Sequence, residues 1–351
     1  MIGPAAPCLL VDVGDTLLRR DRPGPKRRVL NWLRAEGLIQ PALERAAADA
    51  VLTAPDPPAA AASLARLCDL STPQANALLA VMTSAEGEAT LTPGALEFLT
   101  GARANCWRIV FTTNAVRWAP PLPNKLVSAE DVYVSSARLG RSKHDPRFWR
   151  ELVARHGVSR RLSMSVGDSL SADVDSARAA GFAAVHAPPG TARLQELGAA
   201  IAEAGPPRQG SEAVLAGVPE DWAGRQVISA PNLDFLVERA TRTRLVLRNR
   251  SGSAPALIAR RGGDAPPLVT GVGDQRPVVV AWVARRSDLR MRNAPADLEQ
   301  ALEAAGLSLD ALESYDRRHA VSWVREASTL EVRDARIRDV VTSLRARPAD
   351  V

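Results

Sequence analysis

The period of the apolar positions changes several times along the chain. The run CLLVDV (8–13) is short and almost continuously apolar, the pattern of a strand covered on both faces. From about Pro25 to Leu99 the period becomes helical. VLNWLRAEGL, PALERAAADAVL, AASLARLCDL and TPQANALLAVMTSAEGE follow one another, punctuated by Pro and Gly. Strand and helix then alternate. RIVFTTN (108–114), DVYVSS (131–136), SMSVGD (163–168), FAAVHA (182–187) and RQVISA (225–230) read as strands, with DPRFWRELVARHG and SADVDSARAAG as helices between them. Such alternation predicts an α/β fold, a parallel sheet with helices on both faces.

Past Arg242 the texture changes again. RLVLRN, ALIARR and PVVVAWVARR have the look of short strands, and ADLEQALEAAG, LDALESYDRRHAVSWVREA and EVRDARIRDVVTSLRAR that of helices. The loop-like RNRSGSAP puts a boundary near here, giving a first domain over 1–242 and a small C-terminal α+β module over 243–351.

Composition narrows the classes. A chain of 351 residues, 46% hydrophobic and 24% charged, buries a sizeable core and is neither disordered nor fibrous. No apolar run approaches the roughly 20 residues that a membrane helix needs. The start MIGPAAPCLLVDVGD has no basic leader segment, so no signal peptide is expected. Cys8, Cys68 and Cys106 are odd in number and widely spaced; neither a disulfide framework nor a structural zinc site is expected, and a cytoplasmic location fits. The net charge is +6, and most of the surplus falls after Thr241. Arg239–Arg250, Arg260–Arg261 and Arg285–Arg286 lack interleaved aromatics, which favours a solvated arginine surface over nucleic-acid binding. Almost every basic residue is arginine. The only lysines are Lys26, Lys125 and Lys143, so a lysine at a motif position carries weight. The histidines, His144 among them, show no metal-ligand spacing, and the scattered tryptophans read as packing.

Four segments at predicted strand ends carry polar groups: VDVGDTLL with Asp12 and Thr16, VFTTN with Thr113 and Asn114, GRSKHDPRFW with Lys143, and VGDSLSADVDSARAAGF with Asp168 and Asp173. In an open α/β sheet, ligands sit beyond the carboxyl ends of the strands. The residue types suit phosphoryl chemistry. A strand-end carboxylate can attack phosphorus. A hydroxyl and an ammonium can hold the phosphoryl oxygens while charge redistributes. Carboxylates nearby suit Mg²⁺, a hard cation that prefers oxygen ligands.

In this order the four segments resemble motifs I to IV of the haloacid dehalogenase-like (HAD) superfamily, over roughly residues 5–240. GDSLSADVDSARAAG is close to the fourth motif and SKHDPRFW to a version of the third. The resemblance implies a Rossmann-like core with an inserted helical cap at about 19–100. It implies Asp12 as nucleophile, Thr113 and Lys143 as phosphoryl-binding groups, and Mg²⁺ held by Asp12, the Gly14 carbonyl and Asp168. Asp173, Thr16 and Asn114 would support them. The family's motif I has an aspartate two residues after the nucleophile, acting as general acid and base; here Gly14 stands there, with Asp15 one residue later. Such help is worth about 10²–10⁴-fold.

Three readings follow from the resemblance. The first is a Mg²⁺-dependent hydrolase of a small phosphorylated metabolite, working through an aspartyl-phosphate. The second is a weakened scaffold that binds a phosphorylated ligand or a partner. The third is hydrolysis of a C–P or C–halogen bond, since branches cleaving those bonds also lack the aspartate. A second resemblance, of 294–347 to the helical module of the bacteriocin-protection (YdeI/OmpD-associated) family, rests on APADLEQALEAAG, ESYDRRHAVSWVREAS and VRDARIRDVVTSLRA.

Overall fold

The computed structural model describes residues 7–84, 87–206, 212–222, 225–233, 242–250, 252–259, 266–270, 277–285, 295–309, 314–325, 327 and 329–345. The chain forms two compact units, 1–243 with 247–283, and 244–246 with 284–351.

The first unit opens with the strands β1 (Cys8–Asp12), β2 (Leu18–Arg20), β3 (Ala89–Leu91), β4 (Arg108–Thr113), β5 (Val132–Ser135), β6 (Met164–Gly167) and β7 (Ala183–His186). A parallel five-stranded sheet has the order β5-β4-β1-β6-β7, which puts β1 at its centre and gives the Rossmann-like core. Every residue of β1 is buried, as it must be when helices cover both faces. The two-residue period sorts the side chains. Leu9, Val11, Ile109, Phe111, Met164 and Val166 enter one core. Cys8, Leu10 and Val110 enter the other, with Phe148, Trp149 and Leu152 of the helix Pro146–His156. Register brings the strand ends level: Asp12 lies opposite Thr112, and Val11 opposite Val166.

Four helices rise between β2 and β3: α1 (Pro25–Ala35), α2 (Glu44–Thr53), α3 (Pro57–Cys68) and α4 (Thr72–Thr83). Their ends follow local chemistry. Pro occupies a first-turn position in α1, α3 and α4, Asp56 accepts the Ala59 N–H, and Ser71 forms a capping box with Gln74. They enclose their own core around Val29, Leu33, Val51, Leu64, Leu78 and Met82. The two strands connecting this cap pair with each other, Leu18 opposite Leu91. The expected cap of about 19–100 is narrower in fact. The next helix, α5 (Ala95–Ala104), buries Ala95, Phe98, Leu99 and Ala102 against the parallel sheet instead. Periodicity identifies such a helix but not the surface it will cover.

RQVISA (225–230) is a strand but does not extend the parallel sheet. It lies in a seven-stranded sheet built from β8 (Ala213–Gly217), β9 (Glu220–Trp222), β10 (Arg225–Ser229), β11 (Arg242–Asn249), β12 (Gly252–Ala259), β13 (Leu268–Thr270) and β14 (Val279–Arg285), in the order β8-β14-β11-β12-β13-β10-β9. β10 pairs antiparallel with β9 and β13. The expected boundary at 242–243 therefore falls inside a sheet whose strands come from both sides of it. Val214 and Ala216 of β8 and Val280 and Trp282 of β14 share the core that holds α5 and one face of the parallel sheet. A five-residue apolar strand says nothing about the direction of its partners, because pairing is non-local.

Some of the arginines expected as solvated surface have structural work. Arg248 pairs with Glu212 at 2.6 Å, and Arg250 donates to Asn105 Oδ1 at 2.7 Å. Arg260, Arg261 and Arg286 lie outside the described residues, as does the side chain of Arg285. In the second unit the helices Ala296–Ala304, Ser314–Arg325 and Leu330–Arg345 surround Leu298, Leu302, Val324, Ile337 and Val340, with Arg333 bonded to Asp297. Among the described residues no helix is long and apolar enough to cross a membrane.

Candidate active site

Asp12 ends the central strand, where neighbouring strands diverge and leave a crevice at their carboxyl ends. Its carboxylate, the Lys143 ammonium and the Asp173 carboxylate are all buried and form one ionic chain. Lys143 Nζ donates to Asp12 Oδ1, to Asp173 Oδ1 at 2.5 Å, and to the Thr112 carbonyl at 3.3 Å. All three ammonium protons are thus directed at the site's own oxygens.

The loop carrying Lys143 is pinned on both sides. Its N–H donates to Asn114 Oδ1 at 2.9 Å, and its carbonyl accepts from Trp149 Nε1 at 3.1 Å. Trp149 is a large, fully buried side chain of the second core, so packing fixes the loop that delivers the ammonium. Asp173 sits on a π-helical turn, Leu170–Asp175, and its Oδ2 accepts the Ser169 N–H at 3.1 Å. Gly167 makes the approach possible, since a Cβ there would overlap the Asp173 carboxyl group. Motif reading passed over Gly167; only a conformation that folds the π-turn back over β6 reveals the need for it.

Thr16 joins the first and fourth segments. Its hydroxyl accepts the Asp168 N–H at 2.9 Å and donates to Asp12 Oδ2 at 3.2 Å. Asp168 is half-buried, and its own carbonyl accepts from His186 Nε2 at 2.8 Å. Thr113 is buried beside Asp12, and its Oγ1 accepts the Ala115 N–H at 3.1 Å, tightening the turn after β4. Gly14 is exposed in the cavity and Asp15 is displaced from its place, holding a left-handed φ of 59°. The residues read from the four segments thus come together within one site. His144 joins them at the cavity wall, with Nδ1 3.4 Å from Ser171 Oγ.

The electrostatics ask for more positive charge. Burial first, then the Asp173 and Asp168 carboxylates, push Asp12 up to about 8 against the pull of Lys143. Burial opposes the charge on Lys143, but Asp12 and Asp173 outweigh it and hold the lysine above its ordinary value. Asp168 is raised as well, by burial and then Asp173. One ammonium faces three carboxylates. Oxygens of Asp12, Asp168 and Asp173 lie within 4.8 Å of one another, a donor set and charge that suit a hard divalent cation. Above them opens a cavity of about 550 Å³ between the strand ends and the cap, large enough for a small metabolite.

Residues 140–209, which carry Lys143, Asp168 and Asp173, match the family described as HAD-hydrolase-like. The resemblance to the HAD superfamily thus stands on a family pattern as well as on the motifs. Among solved structures, an HAD-family enzyme from Bacteroides thetaiotaomicron complexed with magnesium and inorganic phosphate is similar at 16% identity and TM-score 0.37, covering 53% of this chain and 96% of its own. A 2-haloacid dehalogenase from Pseudomonas syringae pv. Tomato is similar at 19% identity and TM-score 0.35, covering 52% and 86%. An HAD phosphatase from Thermococcus onnurineus reaches 18% identity and TM-score 0.29, covering 51% and 85%. At these scores the likenesses carry no argument about the reaction. No curated protein matches the chain.

Proposed function

We propose that the chain is a Mg²⁺-dependent HAD-like hydrolase that transfers the phosphoryl group of a small phosphorylated metabolite to Asp12 and then to water. The observation that carries this reading is the Asp12 carboxylate, buried at a strand end beside Lys143 and two further carboxylates on the floor of a cavity.

In the first step an Asp12 oxygen forms a bond to phosphorus while the bond to the leaving oxygen breaks, giving an aspartyl-phosphate. Lys143 and Thr113 hold phosphoryl oxygens, and Thr16 keeps the carboxylate in its rotamer through Oδ2. Water then attacks phosphorus, the bond to Asp12 breaks, and inorganic phosphate leaves. Mg²⁺ on Asp12, Asp168 and the Gly14 carbonyl, with Asp173 in support, would supply positive charge that favours ionised Asp12 and neutralises the phosphoryl oxygens. Gly14 offers no proton to the departing oxygen. Acyl phosphates and other activated substrates, whose leaving groups depart unprotonated, suit the site better than simple monoesters. The same feature favours a second reading, a scaffold that holds a phosphorylated ligand without turnover, with residues 243–351 as its interaction module. The odd number and wide spacing of Cys8, Cys68 and Cys106 in the sequence fit a cytoplasmic location.

The test is phosphate release with Mg²⁺ across acyl phosphates, sugar phosphates and nucleotides, comparing the intact protein with Asp12→Asn. Release that disappears in Asp12→Asn is the expected result. Release that survives the substitution rules out Asp12 as nucleophile, and no release from any substrate favours the binding scaffold.

A further inference from the structure

The helix α1 begins with three cations in its first turn, Lys26, Arg27 and Arg28, with no acid there and no side-chain cap. A helix N-terminus carries roughly half a positive charge and favours acidic residues, so this turn repels itself. Arg28 is accounted for, since its guanidinium donates to the carbonyls of Pro23, Met82 and Ser84. Lys26 and Arg27 form no hydrogen bond or ion pair with any described residue, and both line the cavity above Asp12. Lys26 is half-buried. Desolvation, then Arg27 and Lys143, lower its pKa, while Asp12 and Asp168 oppose the shift, which places its ammonium within electrostatic reach of the acidic cluster. Lys143 already directs its donors at Asp12, Asp173 and the Thr112 carbonyl. Lys26 and the exposed Arg27 therefore add two cations to the cap-side wall that no hydrogen bond or ion pair among the described residues holds, and the desolvation of half-buried Lys26 is costly until an anion arrives.

We propose that Lys26 and Arg27 form a subsite for a second anionic group, so that the substrate class is a small phosphate compound bearing a carboxylate or a further phosphate. The assignment rests on Asp12 being the phosphoryl site. The two groups of such a ligand would lie at opposite walls of one cavity, phosphoryl on the strand ends and the second anion against the first turn of α1.

The test compares ligands that differ only in that second charge. Dissociation constants are measured by titration calorimetry in the full-length Asp12→Asn protein with Mg²⁺, where hydrolysis does not intervene. The pairs are glycerol 3-phosphate with 3-phosphoglycerate, and fructose 6-phosphate with fructose 1,6-bisphosphate. The expected result is that the more anionic member of at least one pair binds about tenfold more tightly or better. Adding Lys26→Gln or Arg27→Gln should shrink that preference, while Lys26→Arg keeps it. The pair that responds tells a carboxylate from a phosphate. Equal affinities within both pairs, or a preference that survives the combined Lys26→Gln and Arg27→Gln change, overturn the subsite. Hydrolysis by the intact protein is read separately. If phosphate release depends on Asp12 but no charge preference exists, the subsite falls and the hydrolase reading stands. If nothing is hydrolysed while the preference follows Lys26, the subsite stands and the hydrolase reading falls. If no member of either pair binds, the subsite falls, and the hydrolase reading is decided by Asp12-dependent phosphate release alone.

Discussion

Replacing Trp282 with Ala tests how firmly the seven-stranded sheet belongs to the body that carries Asp12. The indole is fully buried, stacks on Trp107 with ring centroids 5.5 Å apart, and donates Nε1–H to the Gly205 carbonyl at 2.8 Å. Truncating a buried Trp costs about 3–5 kcal/mol through lost transfer energy and the cavity left behind. The orphaned Gly205 carbonyl adds about 1–3 kcal/mol, and loss of the aromatic pair overlaps with the first figure. A net loss of about 4–6 kcal/mol is a large part of the roughly 5–15 kcal/mol by which domains are stable. Urea unfolding followed by far-UV circular dichroism is the suitable assay, because fluorescence would lose a reporter with the mutation. With a slope near 3 kcal/mol/M, the midpoint should fall by about 1.3–2 M. Trp282→Phe keeps a ring against Trp107 and loses the hydrogen bond, so it should cost about 1–2 kcal/mol. If the midpoint of Trp282→Ala stays within about 0.3 M of the parent, β14 contributes little to this core and the shared packing described above is wrong.

The same packing predicts that a chain ending at residue 250, which lacks β12 to β14, is insoluble or unfolded, whereas one ending at residue 290 stays folded; thermal melts of both decide it. Gly14→Asp should raise turnover of unactivated monoesters by about 10²-fold or more, because an added Cβ meets no atom within 4 Å and a carboxylic acid there can protonate the leaving oxygen. Acyl phosphates should gain little, and equal gains on both classes would refute the role given to that position. Adding Asp15→Gly to it should restore about 1 kcal/mol in a melt, by relieving the left-handed backbone at φ 59°. Gly167→Ala should displace the Asp173 carboxylate it would overlap and cost about 1–3 kcal/mol together with most of the activity; normal kinetics would show that Asp173 need not approach β6. Asp168→Ala, and EDTA applied to the intact protein, should each abolish phosphate release; phosphate release that persists in EDTA would refute the Mg²⁺ role, and halide release from a 2-haloacid in EDTA would shift the reading towards C–halogen cleavage.

What the sequence by itself determined is local and periodic. Short, largely apolar runs specified β1, β4 and β7, and β6 was read from the small and apolar residues of SMSVG, because a strand covered on both faces displays no charged side. Proline and capping residues set the starts of α1, α3 and α4. Asp12, Thr113, Lys143 and Asp168 were legible because a polar residue at a strand end stands out against an apolar run, and because lysine is rare in this chain. The tertiary structure decided what depends on partners far away in the chain. RQVISA could not reveal that it pairs antiparallel with Leu268–Thr270, nor α5 that it covers the sheet rather than the cap, since a hydrophobic face is equally satisfied by any apolar surface of the right shape. Gly167 became intelligible only once Asp173 folded back over it. Lys26, one of three lysines but outside the four segments, drew attention only when α1 was seen to place it at the cavity wall, because folding alone puts the acids and the cavity volume in front of it.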